Sequence, residues 1–79
     1  MLAYLLIKTA PRSEHRLVEL LGKIQNVKDL YEVYGKYDIV AKVEARNIKE
    51  LQKIVFEKVK KLPGLQSCTV CQVCQIGKF

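Results

Sequence analysis

The sequence has no tryptophan, one histidine, two prolines, four glycines and three cysteines among its 79 residues. Each shortage removes a class of protein. So little proline and glycine leaves no collagen-like or linker-like chain. Three cysteines, all between Cys68 and Cys74, cannot form the even, dispersed framework of a disulfide-stapled domain. They fit a reducing, cytoplasmic setting better. No apolar run approaches the roughly 20 residues of a membrane helix, so no membrane partner is expected. The apolar stretch from Met1 to Ile7 lacks the basic region and small-residue cleavage site of a secretion signal. No phosphate-binding loop, GxSxG, HExxH or dinucleotide fingerprint occurs. His15, the only histidine, has neither a second nitrogen ligand for zinc nor a positioned nucleophile for catalysis. An enzyme is not expected, nor a cofactor or a metal.

Negative charge is also scarce, with 8 acidic against 14 basic side chains and a formal charge of +6. That permits an acidic partner such as nucleic acid. It does not require one, because the basic residues are spread from Lys8 to Lys78 without a dense cluster. On the second helix, Lys49, Lys53 and Lys60 read as a solvated face, with Glu57 and Lys61 as an i,i+4 pair, rather than as a phosphate patch. Phe56 flanks that face as a contact point or a half-buried side chain.

What is present is an ordinary globular balance, 49% apolar and 28% charged. The length predicts one domain over 1–79. A chain this short buries only roughly 60% of its unfolded surface and needs disulfides, a metal or partner subunits for support.

Leu2 to Lys8 reads as a buried strand, broken by Thr9, Ala10 and Pro11. A helix follows from about Ser13 to Lys23, with Leu17, Leu20, Leu21 and Ile24 on one face. Val27 to Tyr34 and Tyr37 to Glu44 read as strands joined by a two-residue connection, Gly35-Lys36. Asn47 and Glu50 form a capping-box pattern that opens a second helix, striped by Ile48, Leu51, Val55, Val59 and Leu62. Pro63-Gly64 stops it, and Leu65 to Ile76 is a last strand.

A shift of 38 residues superposes the two halves. Ala3 falls on Ala41, Leu5 on Val43, Leu17 on Val55, Leu21 on Val59 and Ile24 on Leu62. Two such βαβ units give an α+β, ferredoxin-like βαββαβ fold, with both helices on one face of a four-stranded antiparallel sheet. The middle strands carry apolar residues on both faces, so a second subunit is expected to cover the open one.

The chemistry-bearing candidates are few. Residues three apart on a strand point to opposite faces, so Cys68, Cys71 and Cys74 read as structural rather than metal-binding. Tyr31, Tyr34 and Tyr37 cluster at the hairpin without the pattern of an RNA-stacking sheet, and read as packing in a dimer core. Gly35 supplies a permissive turn, and Asp38 stands beside it. Asp38 either bonds turn amides or, with the loop amides, holds the two charged ends of an amino acid.

The run Val27-Lys28-Asp29-Leu30-Tyr31-Glu32-Val33-Tyr34-Gly35-Lys36-Tyr37-Asp38-Ile39-Val40 resembles the hairpin of the C-terminal effector (RAM) domain of the Lrp/AsnC regulators. The resemblance extends over the whole chain, including the Lys-Leu-Pro-Gly-Leu end of the second helix. Members of the family usually carry an N-terminal helix-turn-helix, so the resemblance implies a stand-alone effector module that does not itself bind DNA. It also implies dimerisation through the sheet, further assembly of dimers, and a small effector, chiefly an amino acid, held between dimers. It would place Tyr34, Gly35, Tyr37 and Asp38 at that site. Where the family often reads Thr-x-Thr, this chain has Cys68-Thr69-Val70. Cys68 and Val70 would then line a less polar pocket with fewer hydrogen bonds. Co-assembly with a full-length Lrp/AsnC regulator would follow. The alternatives are a basic nucleic-acid-binding module and an ACT-like regulatory domain.

Overall fold

The structure is a computed structural model that describes residues 1–74 and Gly77. Strand β1 spans Leu2–Thr9, helix α1 Glu14–Gly22, β2 Val27–Glu32, β3 Ile39–Glu44, α2 Ile48–Ile54 and β4 Leu65–Gln72. The strands form one antiparallel sheet in the order β2-β3-β1-β4. This is the ferredoxin-like arrangement. The last strand ends four residues before Ile76, and residues 75 and 76 lie outside the described residues. Among the described residues no helix is long and apolar enough to cross a membrane.

The core follows from alternation on the two central strands. Ala3, Leu5 and Ile7 of β1 and Ile39, Ala41 and Val43 of β3 are fully buried on one face. The helices cover that face with Leu17, Leu21, Leu51, Ile54, Val55 and Val59. The 38-residue repeat is visible in the register. Ala3 pairs with Val43 and Leu5 with Ala41, so repeat-equivalent residues exchange partners across an approximate two-fold axis. The repeat also places the sheet's irregularities. Lys28 interrupts the β2–β3 register and Gln66 the β1–β4 register, and these residues are 38 apart. Each extra residue sharpens the local twist where a strand leaves its helix.

Two junctions differ from the sequence expectation. β2 stops at Glu32, not Tyr34, and β3 starts at Ile39, not Tyr37. The connection is therefore the six-residue loop 33–38, not a two-residue turn. It is closed by the Val33 N–H donating to the Asp38 carbonyl at 2.9 Å. Gly35 has φ +130°, a conformation that keeps a tight primed turn from forming with the neighbouring tyrosines.

The second helix does not stay α-helical. Val55–Val59 widens into a π turn, marked by Lys60 N–H donating to the Val55 carbonyl at 2.9 Å. The stripe is thereby re-phased: Ile54 is buried, while Ile48 is 49% exposed. Lys61 lies past the helix end, and the Glu57–Lys61 pair is not among the ion pairs formed by the described residues. The start of α2 is as expected, since Asn47 Oδ1 accepts from Glu50 N–H at 2.9 Å. The reciprocal arm reaches one residue further back, with Glu50 accepting from Arg46 N–H at 3.0 Å and Arg46 Nε at 2.7 Å. Those bonds hold the Glu50 carboxyl below its ordinary pKa. Ser13 occupies the N-cap of α1, but its hydroxyl makes no capping bond.

The face away from the helices carries Leu2, Tyr4 and Leu6 of β1 and Val40 of β3, all half-buried. Tyr31 stands beside them, 51% exposed. Around this strip lie Lys8, Glu44, Ser67, Thr69, Cys71 and the Asp29–Lys42 ion pair, 3.7 Å apart. The open face is thus an apolar strip framed by polar side chains, narrower than a uniformly apolar sheet.

Candidate functional site

The best-formed polar constellation lies where β1 ends beneath the loop 33–38. β1 delivers Thr9 inward, and Thr9 is only 7% exposed. Its backbone N–H donates to Asp38 Oδ2 at 2.8 Å, and its hydroxyl donates to the same oxygen at 3.2 Å. The Asp38 N–H in turn donates to the Ile7 carbonyl at 2.9 Å. Asp38 therefore does not bond turn amides, as a short hairpin would allow. The longer loop lets it reach across to β1 and tie the loop to the central sheet. Glu14, the first residue of α1, stands on the other side of the Thr9 hydroxyl, with Oε1 at 3.4 Å.

Above this anchor is a depression of about 300 Å³, lined by Glu14, His15, Glu32, Val33, Tyr34 and Asp38. Three carboxylates give it a negative character that contrasts with the chain's net positive charge. Tyr34 stands at its rim, fully exposed. Gly35, Lys36 and Tyr37 form the crest of the loop, and their backbone N–H groups have no hydrogen-bond partner among the described residues. Lys36 Nζ lies 5.9 Å from the Tyr37 ring centroid. His15 is exposed and takes part only as a wall. The site thus offers unpaired N–H donors on one side and carboxylates on the other, which suits a small zwitterion.

Of the sequence candidates, Tyr34, Gly35, Tyr37 and Asp38 are together in this loop. Cys68 and Val70 are elsewhere within one chain. Cys68 pairs with Ile7 on the helix-covered side of β4 and is half-buried against the core. Burial pushes its thiol pKa up, against a smaller opposing pull from Lys60. Cys71 projects from the opposite face opposite Tyr4, and Cys74 follows the strand; both are exposed. Val70 lines a second cavity on the far flank, a groove of about 730 Å³ between β4 and the second helix. Sequence reasoning missed Thr9, Glu14 and Glu32. The repeat held a signal for the first of these. Thr9 is 38 residues before Asn47, so both halves place a polar side chain at the same strand end.

The basic residues form no continuous face. Among the described residues Lys42 pairs with Asp29, Arg16 with Glu19 at 3.8 Å, and Arg46 with Glu50. Phe56, expected to be a contact point or half-buried, is 70% exposed on the groove rim.

Comparison with known proteins gives a consistent result. The Lrp/AsnC ligand binding domain matches residues 2–76. An HTH-type transcriptional regulator of Pyrococcus furiosus is 36% identical over 66 residues, covering 80% of this chain and 44% of its own length. A related Pyrococcus abyssi regulator is matched over 49% of its length, so the chain spans about half the curated relatives it resembles. Among solved structures, Escherichia coli AsnC superposes with a TM-score of 0.93 at 23% identity, over 99% of this chain and 53% of that one. A Neisseria meningitidis transcriptional regulator solved as a complex with L-Met superposes with a TM-score of 0.89 at 12% identity, over 99% of this chain and 52% of that one. These two likenesses concern the fold.

Proposed function

The chain belongs to the Lrp/AsnC ligand-binding domain family, and from that premise we propose that it is an amino-acid-sensing, oligomerising regulatory module with no catalysis of its own. One observation carries the reading. The loop 33–38 presents unpartnered backbone N–H groups next to a depression walled by Glu14, Glu32 and Asp38. The amides suit an α-carboxylate and the carboxylates suit an α-ammonium. Asp38 Oδ2 is already engaged by Thr9, which leaves Oδ1 for the ligand. The methionine held by the Neisseria meningitidis regulator supports an amino acid as the class of effector.

The chain works as an assembly of copies. The strip of Leu2, Tyr4, Leu6, Val40 and Tyr31 packs against its equivalent in a two-fold dimer, and the effector binds where dimers meet at the loop. Cys68 and Val70 join the site when a neighbouring copy brings its β4 to this loop, and they make that wall less polar. An effector that binds one assembly state better than another shifts the balance between them. A full-length regulator of the same family is a natural partner, through the same dimer face. The HTH-type regulators among its relatives support a role in transcriptional regulation. Neither alternative has a comparable observation behind it, since the basic residues make no patch and the family match is not to an ACT domain.

Calorimetric titration with each standard amino acid tests the proposal, with Asp38→Asn as the control that keeps the loop anchor's acceptor. At least one amino acid gives saturable heat that falls in the variant. No heat with any amino acid refutes it.

A further inference from the structure

Six large apolar side chains are notably exposed among the described residues: Met1, Tyr31, Tyr34, Ile48, Phe56 and Val70. Tyr31 belongs to the open sheet face. Four of the others fall into two unlike sets on opposite flanks of the molecule. Tyr34 is a lone aromatic knob on the loop 33–38, with a relative exposure of 107%. Ile48, Phe56 and Val70 are 49%, 70% and 42% exposed and line one groove of about 730 Å³ between the second helix and β4. Residues 48, 52, 56 and 60 all line it, an i,i+4 row that runs from α2 through its π turn.

We propose that the two sets are halves of one contact: Tyr34 of one copy seats in the groove of a second copy, head to tail. The charges around each half are complementary. Glu14, Glu32 and Asp38 surround the knob against Lys36 and the neutral His15, and Lys53 and Lys60 border the groove against Glu57. An aromatic ring laid along Phe56 also comes within cation–π reach of Lys60. Groove and knob are each unsatisfied alone, and an aromatic anchor in an apolar pocket with a polar rim is the usual centre of a protein contact.

The two patches are different surfaces, so the contact is heterologous. Each copy that donates its knob keeps its groove free, and the contact propagates into a closed ring or an open fibre. Neither patch includes the open sheet face, so the two-fold dimer is left intact and becomes the unit that propagates. No amino-acid effector is needed for the contact, and the proposal stands apart from effector binding.

Sedimentation velocity over a concentration series, in buffer free of amino acids, tests it. The wild-type chain is expected to populate species larger than a dimer as concentration rises. Tyr34→Ser and, separately, Phe56→Asp should each weaken that further association at least about tenfold. Both positions are exposed, so unchanged circular dichroism and unchanged dimer content accompany the loss. A mixture of the two variants is the sharper test. Each retains the half that the other lacks, so mixing should restore species larger than either variant forms alone. The proposal is overturned if the wild-type chain stops at the dimer, if Tyr34→Ser assembles like the wild type, or if the mixture restores nothing.

Discussion

Replacing Asp38 by alanine removes two hydrogen bonds and leaves the backbone bonds of the loop in place. Those lost are the 2.8 Å bond from the Thr9 N–H and the 3.2 Å bond from its hydroxyl. Those kept are Asp38 N–H to Ile7 and Val33 N–H to Asp38. The hydroxyl retains Glu14 as a second acceptor at 3.4 Å. The N–H does not, and Thr9 is too buried for water to replace the carboxylate freely. A buried donor left unpaired costs about 1–3 kcal/mol, so the variant should lose about 2 kcal/mol. At roughly 4–8 °C per kcal/mol for a domain of this size, Tm falls by about 8–16 °C. Thr9→Val removes only the hydroxyl bond and should cost about half as much. Asp38→Asn keeps an acceptor and should fall between wild type and alanine. Thermal and urea unfolding measure these values, at one fixed protein concentration because self-association adds to apparent stability. Stability of Asp38→Ala within about 0.5 kcal/mol of wild type, the range of an ordinary surface change, would refute the assignment of Asp38 as the loop anchor.

Other consequences are equally direct. Gly64 has φ +84°, and a Cβ there would lie 2.7 Å from Ser13 Cβ, so Gly64→Ala should destabilise by more than about 1 kcal/mol in the same unfolding assay. A thiol reagent at mildly alkaline pH should modify Cys74 first and Cys68 last, because burial disfavours the Cys68 thiolate. Cys71, on the open sheet face, should react more slowly as protein concentration rises and dimers form, as mass spectrometry of timed samples would report. The lowered pKa of Glu50 means that its contribution is present above the ordinary carboxylate range and is lost as pH falls through the folded value. Amide exchange at the start of α2 should therefore accelerate in acid, and Glu50→Gln should flatten that dependence.

The parts of the fold that rest on periodicity were legible. Alternation on β1 and β3 and the three-and-four spacing of Leu17, Leu21, Leu51, Val55 and Val59 follow from burial of one face, and the 38-residue repeat fixed the topology. Chain geometry without a side-chain period was not legible. Nothing in the spacing of Val55 to Val59 announces a π turn, which is why Ile48 and Phe56 turned outward unexpectedly. The loop 33–38 was read too short because Gly35-Lys36 looks like a two-residue turn, whereas Asp38 is drawn to Thr9, 29 residues earlier. That long-range bond decides both the loop length and the shape of the candidate site. The loop half of the site, Tyr34 to Asp38, was readable because it is contiguous. Glu14 and Glu32 were not, because only folding brings them beside it.

The account's central claim is that an amino acid bound at the loop 33–38 changes how the chain assembles. The direct test is the sedimentation distribution of the wild-type chain with and without a mixture of the standard amino acids, at the same protein concentration. The account predicts a change in the proportion of dimer to larger species that Asp38→Asn diminishes. Identical distributions with and without the mixture would contradict it.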